Sequence, residues 1–102
     1  IYLIKQNTFH CLTNLTFINL QANPFYFLYN ETFSNLTKLQ ALDLSHTKIT
    51  SLFLATTDVH ELYLSHTEIF DVRSIELYLP NLTLIDISNT HVILKSRQDL
   101  DV

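Results

Sequence analysis

The sequence predicts an α/β repeat solenoid, an arc with a short-stranded parallel sheet on its concave face and irregular or short helical returns on its convex face. Three observations predict it. Four segments of the 102-residue chain align without gaps, aliphatic residues recur in each at the same places, and glycine is absent altogether. Internal repeats with a period of about 20–50 residues mark stacked architectures, because one such unit cannot bury its apolar face alone.

The aligned segments are LTFINLQANPF, LQALDLSHTKI, VHELYLSHTEI and LTLIDISNTHV. They begin at Leu15, Leu39, Val59 and Leu82, so the period is uneven and shortest between Leu39 and Val59. Places one, four and six are aliphatic: Leu15/Ile18/Leu20, Leu39/Leu42/Leu44, Val59/Leu62/Leu64 and Leu82/Ile85/Ile87. Place nine is polar (Asn23, Thr47, Thr67, Thr90) and place eleven apolar (Phe25, Ile49, Ile69, Val92). Residues 1–14 read as the back half of a truncated repeat, since Ile4, Phe9 and Leu12 have the same mutual spacing as Leu28, Phe33 and Leu36 in the repeat that follows. The organisation is therefore one domain: a truncated repeat at 1–14, repeats at 15–38, 39–58 and 59–81, the start of another at 82–94, and a polar tail or truncated cap at 95–102.

Side chains alternate across a strand, so places four and six share one face and the residues between them share the other. The expected strands are 17–21, 41–45, 61–65 and 84–88. Stacking makes them parallel and joins the aliphatic columns into one core. The returns hold irregular or short helical turns, in YNETFSNLTKL and more clearly in DVRSIELYLPNL, where Ile75, Leu77 and Leu79 fit a short strand equally well. With no glycine, the turns are expected to be held by side-chain ladders rather than by positive φ angles.

The rest of the composition narrows the function. Hydrophobic residues make up 47% and charged residues 16%, the reverse of a disordered chain. The net charge is -4, and the 6 Lys and Arg are scattered, so no basic patch suggests nucleic acid. The lack of glycine excludes the phosphate-binding loop, the dinucleotide fingerprint and the hydrolase elbow. The 1 cysteine, Cys11, forms no internal disulfide and no Cys-based zinc finger; beside core residue Leu12 it reads as a half-buried free thiol. No Ser-His-Asp or Cys-His-Asn motif stands out, and the chain is read as non-enzymatic, with no cofactor. No apolar run reaches about 18 residues. The N-terminus lacks a signal-peptide pattern and begins at Ile1, so the chain reads as excised from something longer.

The four segments resemble the leucine-rich repeat, LxxLxLxxNxL, over roughly residues 1–92. Phe9 and Phe33 are similar to the convex-side Phe of the longer repeat type of extracellular receptors. In that family the ninth-place Asn bonds neighbouring backbone groups; Thr in three of the four repeats implies a thinner ladder. The resemblance also implies that the concave sheet is the recognition surface. Its candidate ligand residues are Phe17, Asn19, Gln21, Asp43, Ser45, His46, Glu61, Tyr63, His66, Asp86 and Ser88. Three carboxylates make the face mildly acidic, and Phe17 and Tyr63 are aromatic anchors of the kind that dominate interfaces. The alternative is a merely solvated sheet face.

His46 and His66 hold place eight of adjacent repeats, so their rings are expected side by side. Two His fall short of the three or four ligands zinc prefers, and a structural role is the plainer reading. Sequons stand at Asn14, Asn30, Asn35 and Asn81. Asn14, Asn35 and Asn81 each precede a core Leu and double as turn residues, which leaves Asn30, in the irregular return, as the cleanest glycosylation site.

These readings point to protein–protein recognition by a fragment of a receptor or secreted glycoprotein ectodomain, similar to Toll-like or leucine-rich-repeat G-protein-coupled receptors. The ligand is a protein or peptide, nucleic acid is not a partner, and any membrane contact runs through segments absent from this chain. The rivals are a cytoplasmic repeat scaffold or regulator and, remotely, a metal-binding domain built on His46 and His66 with Asp43, Glu61 or Glu68.

Overall fold

The computed structural model describes residues 2–56 and 58–92. Among the described residues, six strands form two parallel sheets. The first sheet holds β1 (Phe17–Asn19), β2 (Ala41–Asp43), β4 (Glu61–Tyr63) and β6 (Leu84–Asp86), in the order β1-β2-β4-β6. The second pairs β3 (Leu52–Ala55) with β5 (Ile75–Tyr78). Neither closes into a barrel.

The first sheet takes one strand from each repeat, in the register of the sequence alignment. Place three runs Phe17, Ala41, Glu61, Leu84; place four runs Ile18, Leu42, Leu62, Ile85; place five runs Asn19, Asp43, Tyr63, Asp86. The uneven period is absorbed in the returns, not in the sheet. The aliphatic columns form one buried cluster with Phe25, Ile49, Ile69 and the inward residues of the second sheet, Leu52, Leu54, Ile75 and Leu77. Leu42, Leu44, Leu62 and Leu64 are fully inaccessible. Truncating such a side chain to alanine costs about 2–5 kcal/mol, which makes this column a large contributor to stability.

The expected strands run two residues too long. Each ends at place five, because the chain turns immediately afterwards. Parallel bonding nevertheless continues into the turn. The N–H of Leu20 donates to Asp43 O (2.9 Å) and that of Ala22 to Ser45 O (3.0 Å); His46 and His66 repeat this with Ser65 O (2.9 Å) and Ser88 O (3.2 Å).

The turns also correct the expectation about φ. Ala22, His46, His66 and Asn89, the four residues at place eight, all adopt positive φ, between 56° and 61°. The left-handed region costs an L-residue roughly 1–2 kcal/mol. Asn and His are among the residue types that tolerate it best; Ala22 has no such advantage. The turn is held from both sides. The carboxylates of Asp43 and Asp86 and the amide oxygen of Asn19 accept the backbone N–H two residues on, of Ser45 (2.9 Å), Ser88 (2.9 Å) and Gln21 (3.0 Å). The hydroxyls of Thr47, Thr67 and Thr90 donate to the sixth-place carbonyls of Leu44 (2.8 Å), Leu64 (2.9 Å) and Ile87 (2.6 Å), and Asn23 Nδ2 donates likewise to Leu20 O (3.1 Å). These Thr bonds stay within one repeat; the bonds that cross repeats here come from the backbone.

The returns carry almost no helix. A 3-10 turn, Val72–Ser74, opens the third return and leads straight into β5, which settles the strand alternative for Ile75–Tyr78. The second return contains β3, whose Leu52 and Leu54 alternate inward across a segment that the repeated pattern does not reach. The first return is a series of turns, with N–H groups of Thr32, Ser34, Leu36 and Leu39 each bonded to the carbonyl three residues back. Thr8, His10, Leu12 and Leu15 show the same pattern one repeat earlier, and the rings of Phe9 and Phe33 stack at 5.8 Å. Residues 4–14 therefore form a copy of the first return. Leu12 is 49% exposed and Cys11 is exposed rather than half-buried. The expected tail at 95–102 lies outside the described residues.

Replacing Ala22 by Asn, the residue found at the equivalent turn of the last repeat, is expected to stabilise the fold by about 0.5–1 kcal/mol, and Ala22→Val to destabilise it by more than that. Urea unfolding monitored by circular dichroism measures both, and the order Asn, Ala, Val is the expected outcome.

Candidate functional site

The first sheet has one face in the core and one open. Odd places three and five point outward by strand alternation, so the open face displays Phe17 and Asn19, Ala41 and Asp43, Glu61 and Tyr63, Leu84 and Asp86. Phe17 is 53% exposed, and Leu84 is also exposed. A cleft of about 430 Å³ lies over β1, β2 and β4, lined by Thr16, Phe17, Gln40, Ala41, Asp43, His60, Glu61 and Tyr63. Of the expected ligand residues, this cleft unites Phe17, Asp43, Glu61 and Tyr63.

Tyr63 is the centre of the face. Its hydroxyl donates to Glu61 Oε1 at 3.0 Å. The phenol is pushed above its ordinary value, first by that bond, then by desolvation, then by the charges of Glu61, Asp43 and Asp86. It therefore stays protonated as a hydrogen-bond donor. His60 Nε2 stands 4.0 Å from Glu61 Oε2. With carboxylates on three of its four strands and an aromatic wall, the face suits a cationic side chain better than an anionic one.

Other expected site residues have different work, and Asp43 has a second role. Asn19, Asp43 and Asp86 hold the turns, as described above. Asp86 is thereby acidified: the Ser88 hydrogen bonds lower its pKa first, and the nearby His66 adds to the effect. Ser45 is only 5% exposed and is not available to a ligand, because repeats on both sides cover place seven. Its counterparts Gln21 and Ser88, in the outer repeats, are exposed. His46 and His66 lie at the turn edge, outside the cleft. Their rings stack at 4.3 Å with planes 13° apart. Parallel planes share no in-plane point, so one metal ion cannot lie along the nitrogen lone pairs of both rings without one ring turning. Among the described residues no group of three or more His, Cys, Asp or Glu is placed to hold a metal.

Place two was missed in the sequence. Thr16, Gln40 and His60 line the cleft as a column, and their carbonyls receive the first cross-repeat bonds: Gln40 N to Thr16 O (2.7 Å), His60 N to Gln40 O (2.9 Å) and Thr83 N to His60 O (3.0 Å). The signal was their shared polarity between an aliphatic place one and the strand.

All four sequon asparagines are exposed. Asn35 Nδ2 lies 2.6 Å from His10 Nδ1, and Asn14 Oδ1 accepts from Lys38 Nζ at 3.2 Å; Asn81 also has a partner. The Asn30 side chain has none among the described residues. Two residues on, Thr32 is 4% exposed, and its Oγ1 is buried with no hydrogen-bond partner among the described residues. Such a hydroxyl costs about 1–3 kcal/mol relative to a satisfied one.

Set against known proteins, no family model matches the chain, and no curated protein and no solved structure matches it significantly.

Asp86 supplies a test of the turn geometry. Its folded pKa lies below the unfolded one, so it contributes stability at neutral pH that is lost as pH falls through the folded pKa. Between about pH 5 and pH 2 the wild-type chain is expected to lose more stability than Asp86→Asn, whose amide oxygen still accepts from Ser88 but does not titrate. Parallel denaturation curves across that range measure the difference, and equal losses would remove the Ser88 bond as the cause.

Proposed function

We propose that this chain is part of a leucine-rich-repeat solenoid from the ectodomain of a membrane receptor or secreted glycoprotein, and that it binds a protein or peptide ligand on the open face of its four-stranded sheet. The cleft over β1, β2 and β4 carries the proposal: it brings Phe17, Asp43, Glu61 and Tyr63 from three repeats into one acidic, aromatic-walled depression. Tyrosine is among the residue types enriched in interface hot spots, and the carboxylates favour a ligand bearing Lys or Arg. The four sequons favour an extracellular setting over a cytoplasmic one. Toll-like and leucine-rich-repeat G-protein-coupled receptors are two groups it resembles in pattern.

A cytoplasmic repeat scaffold is the second reading. The exposed thiol of Cys11 favours it, because free surface thiols persist best in reducing compartments.

Selection of peptides from a random displayed library against the chain tests the site. Enriched sequences are expected to carry Lys or Arg next to an apolar residue. The double variant Asp43→Asn, Tyr63→Ala, in which the amide oxygen still accepts from Ser45 N–H, is expected to lose roughly tenfold or more in affinity for them while Glu68→Ala, outside the cleft, leaves it unchanged. Equal binding by wild type and double variant would move the site elsewhere.

A further inference from the structure

We propose that the groove between the first and second returns seats the proximal N-acetylglucosamine of an N-linked glycan carried by Asn30; this rests on the ectodomain reading. The first return is built of turns and the second of strand β3. Where they meet, a groove of about 310 Å³ opens, lined by Asn30, Phe33, Phe53, Leu54 and Ala55 among others. That volume is at the small end of ligand sites, in keeping with a single sugar ring.

Asn30 itself lines the groove, so its first sugar is tethered at the rim. Asn14 and Asn35 also line depressions, and two features set the Asn30 sequon apart. The Asn30 amide is not committed to another side chain among the described residues, whereas Asn14 and Asn35 are engaged with Lys38 and His10. The second feature is Thr32. Valine has its shape and carries no hydroxyl, so packing alone has no use for the unpartnered Oγ1. An N-x-S/T sequon does need that hydroxyl, and it is read on the unfolded chain, before Thr32 is buried.

Phe53 supplies the recognition. Its ring is half-buried and packs 6.0 Å from Tyr78. The C–H face of a pyranose carries partial positive charge and suits the electron-rich face of an aromatic ring. The modification itself is ordinary: the bond from Asn30 Nδ2 to sugar C1 forms, the C1–O bond to the lipid pyrophosphate of the donor breaks, and the amide loses one proton. The secretory transferase and its lipid-linked oligosaccharide supply the sugar.

The experiment uses the chain secreted from eukaryotic cells. Glycopeptide mapping locates occupied sequons, and melting is compared for the intact glycan, a form trimmed to one N-acetylglucosamine, and a fully stripped form. The one-sugar form is expected to melt with the intact one and roughly 2–5 °C above the stripped one. That drop is expected to vanish in Asn30→Gln and to shrink by half or more in Phe53→Leu. Thr32→Val is expected to lose the Asn30 glycan, yet to leave melting of the bacterially produced chain unchanged or raised. Glycans on other sequons but not on Asn30, or an Asn30 glycan whose removal leaves melting unchanged, would overturn the groove assignment alone. A Thr32→Val melting loss of equal size in both hosts would overturn it too, by giving the hydroxyl a role in the fold. Secretion with no glycan at any of the four sequons would overturn the ectodomain reading along with it.

Discussion

Every repeat of this chain must turn sharply as it leaves the sheet, and it does so without a glycine. That constraint organises the rest. The turn places one residue at positive φ, at Ala22, His46, His66 and Asn89, and each such residue is conformationally strained. What offsets the strain is continuity. With place eight left-handed, the N–H groups of places six and eight still face the next repeat, and the parallel ladder extends beyond the strand. The aliphatic residues at places four and six are then clamped between two rows of backbone bonds, and the column of Leu42, Leu44, Leu62 and Leu64 is sealed from water. Side-chain donors at place nine in all four repeats, and acceptors at place five in three of them (Asn19, Asp43 and Asp86), fix the turn within the repeat, so its geometry does not depend on the length of the return that follows.

This division explains why the sheet is regular and the returns are not. Returns built from turns, from β3 and from a 3-10 turn followed by β5 all connect strands in the same register. The regular sheet gives the molecule an ordered array on which places three and five repeat across four strands, and Phe17, Asp43 and Tyr63 meet there although they come from different repeats. The irregular returns leave grooves where unlike neighbours meet, and the one beside Asn30 arises in that way. A single turn device thus underlies both the proposed ligand face and the proposed glycan seat.

Much of this was legible in the sequence, because the aliphatic pattern is strict. The register of the four strands, the buried columns, the open-face residues and the pairing of His46 with His66 all follow from aligning eleven places. What was not legible has physical reasons. The aspartates of place five were read as ligand residues, and the turn role of Asp43 and Asp86, accepting the N–H two residues on, went unread; the D-x-S spacing was the available sign. Positive φ was missed because glycine was taken as its marker, although Asn and His at place eight are residue types that enter that region more readily than most. Strand β3 lies outside the repeated segment and rests on Leu52 and Leu54 alone. Ser45 looked exposed by alternation, yet it is buried between neighbouring repeats, and Leu12 looked buried by period, yet it is half exposed.

Native-state amide hydrogen exchange by NMR tests the turn device most directly. The amides of Ala22, His46 and His66 should be protected to nearly the same degree as those of Leu20, Leu44 and Leu64, since both sets donate to the next repeat at 2.7–3.2 Å. If the place-six amides are protected while those of place eight exchange at the rate of an unstructured peptide, the ladder ends at the strand, and the turn is not what holds the repeats together.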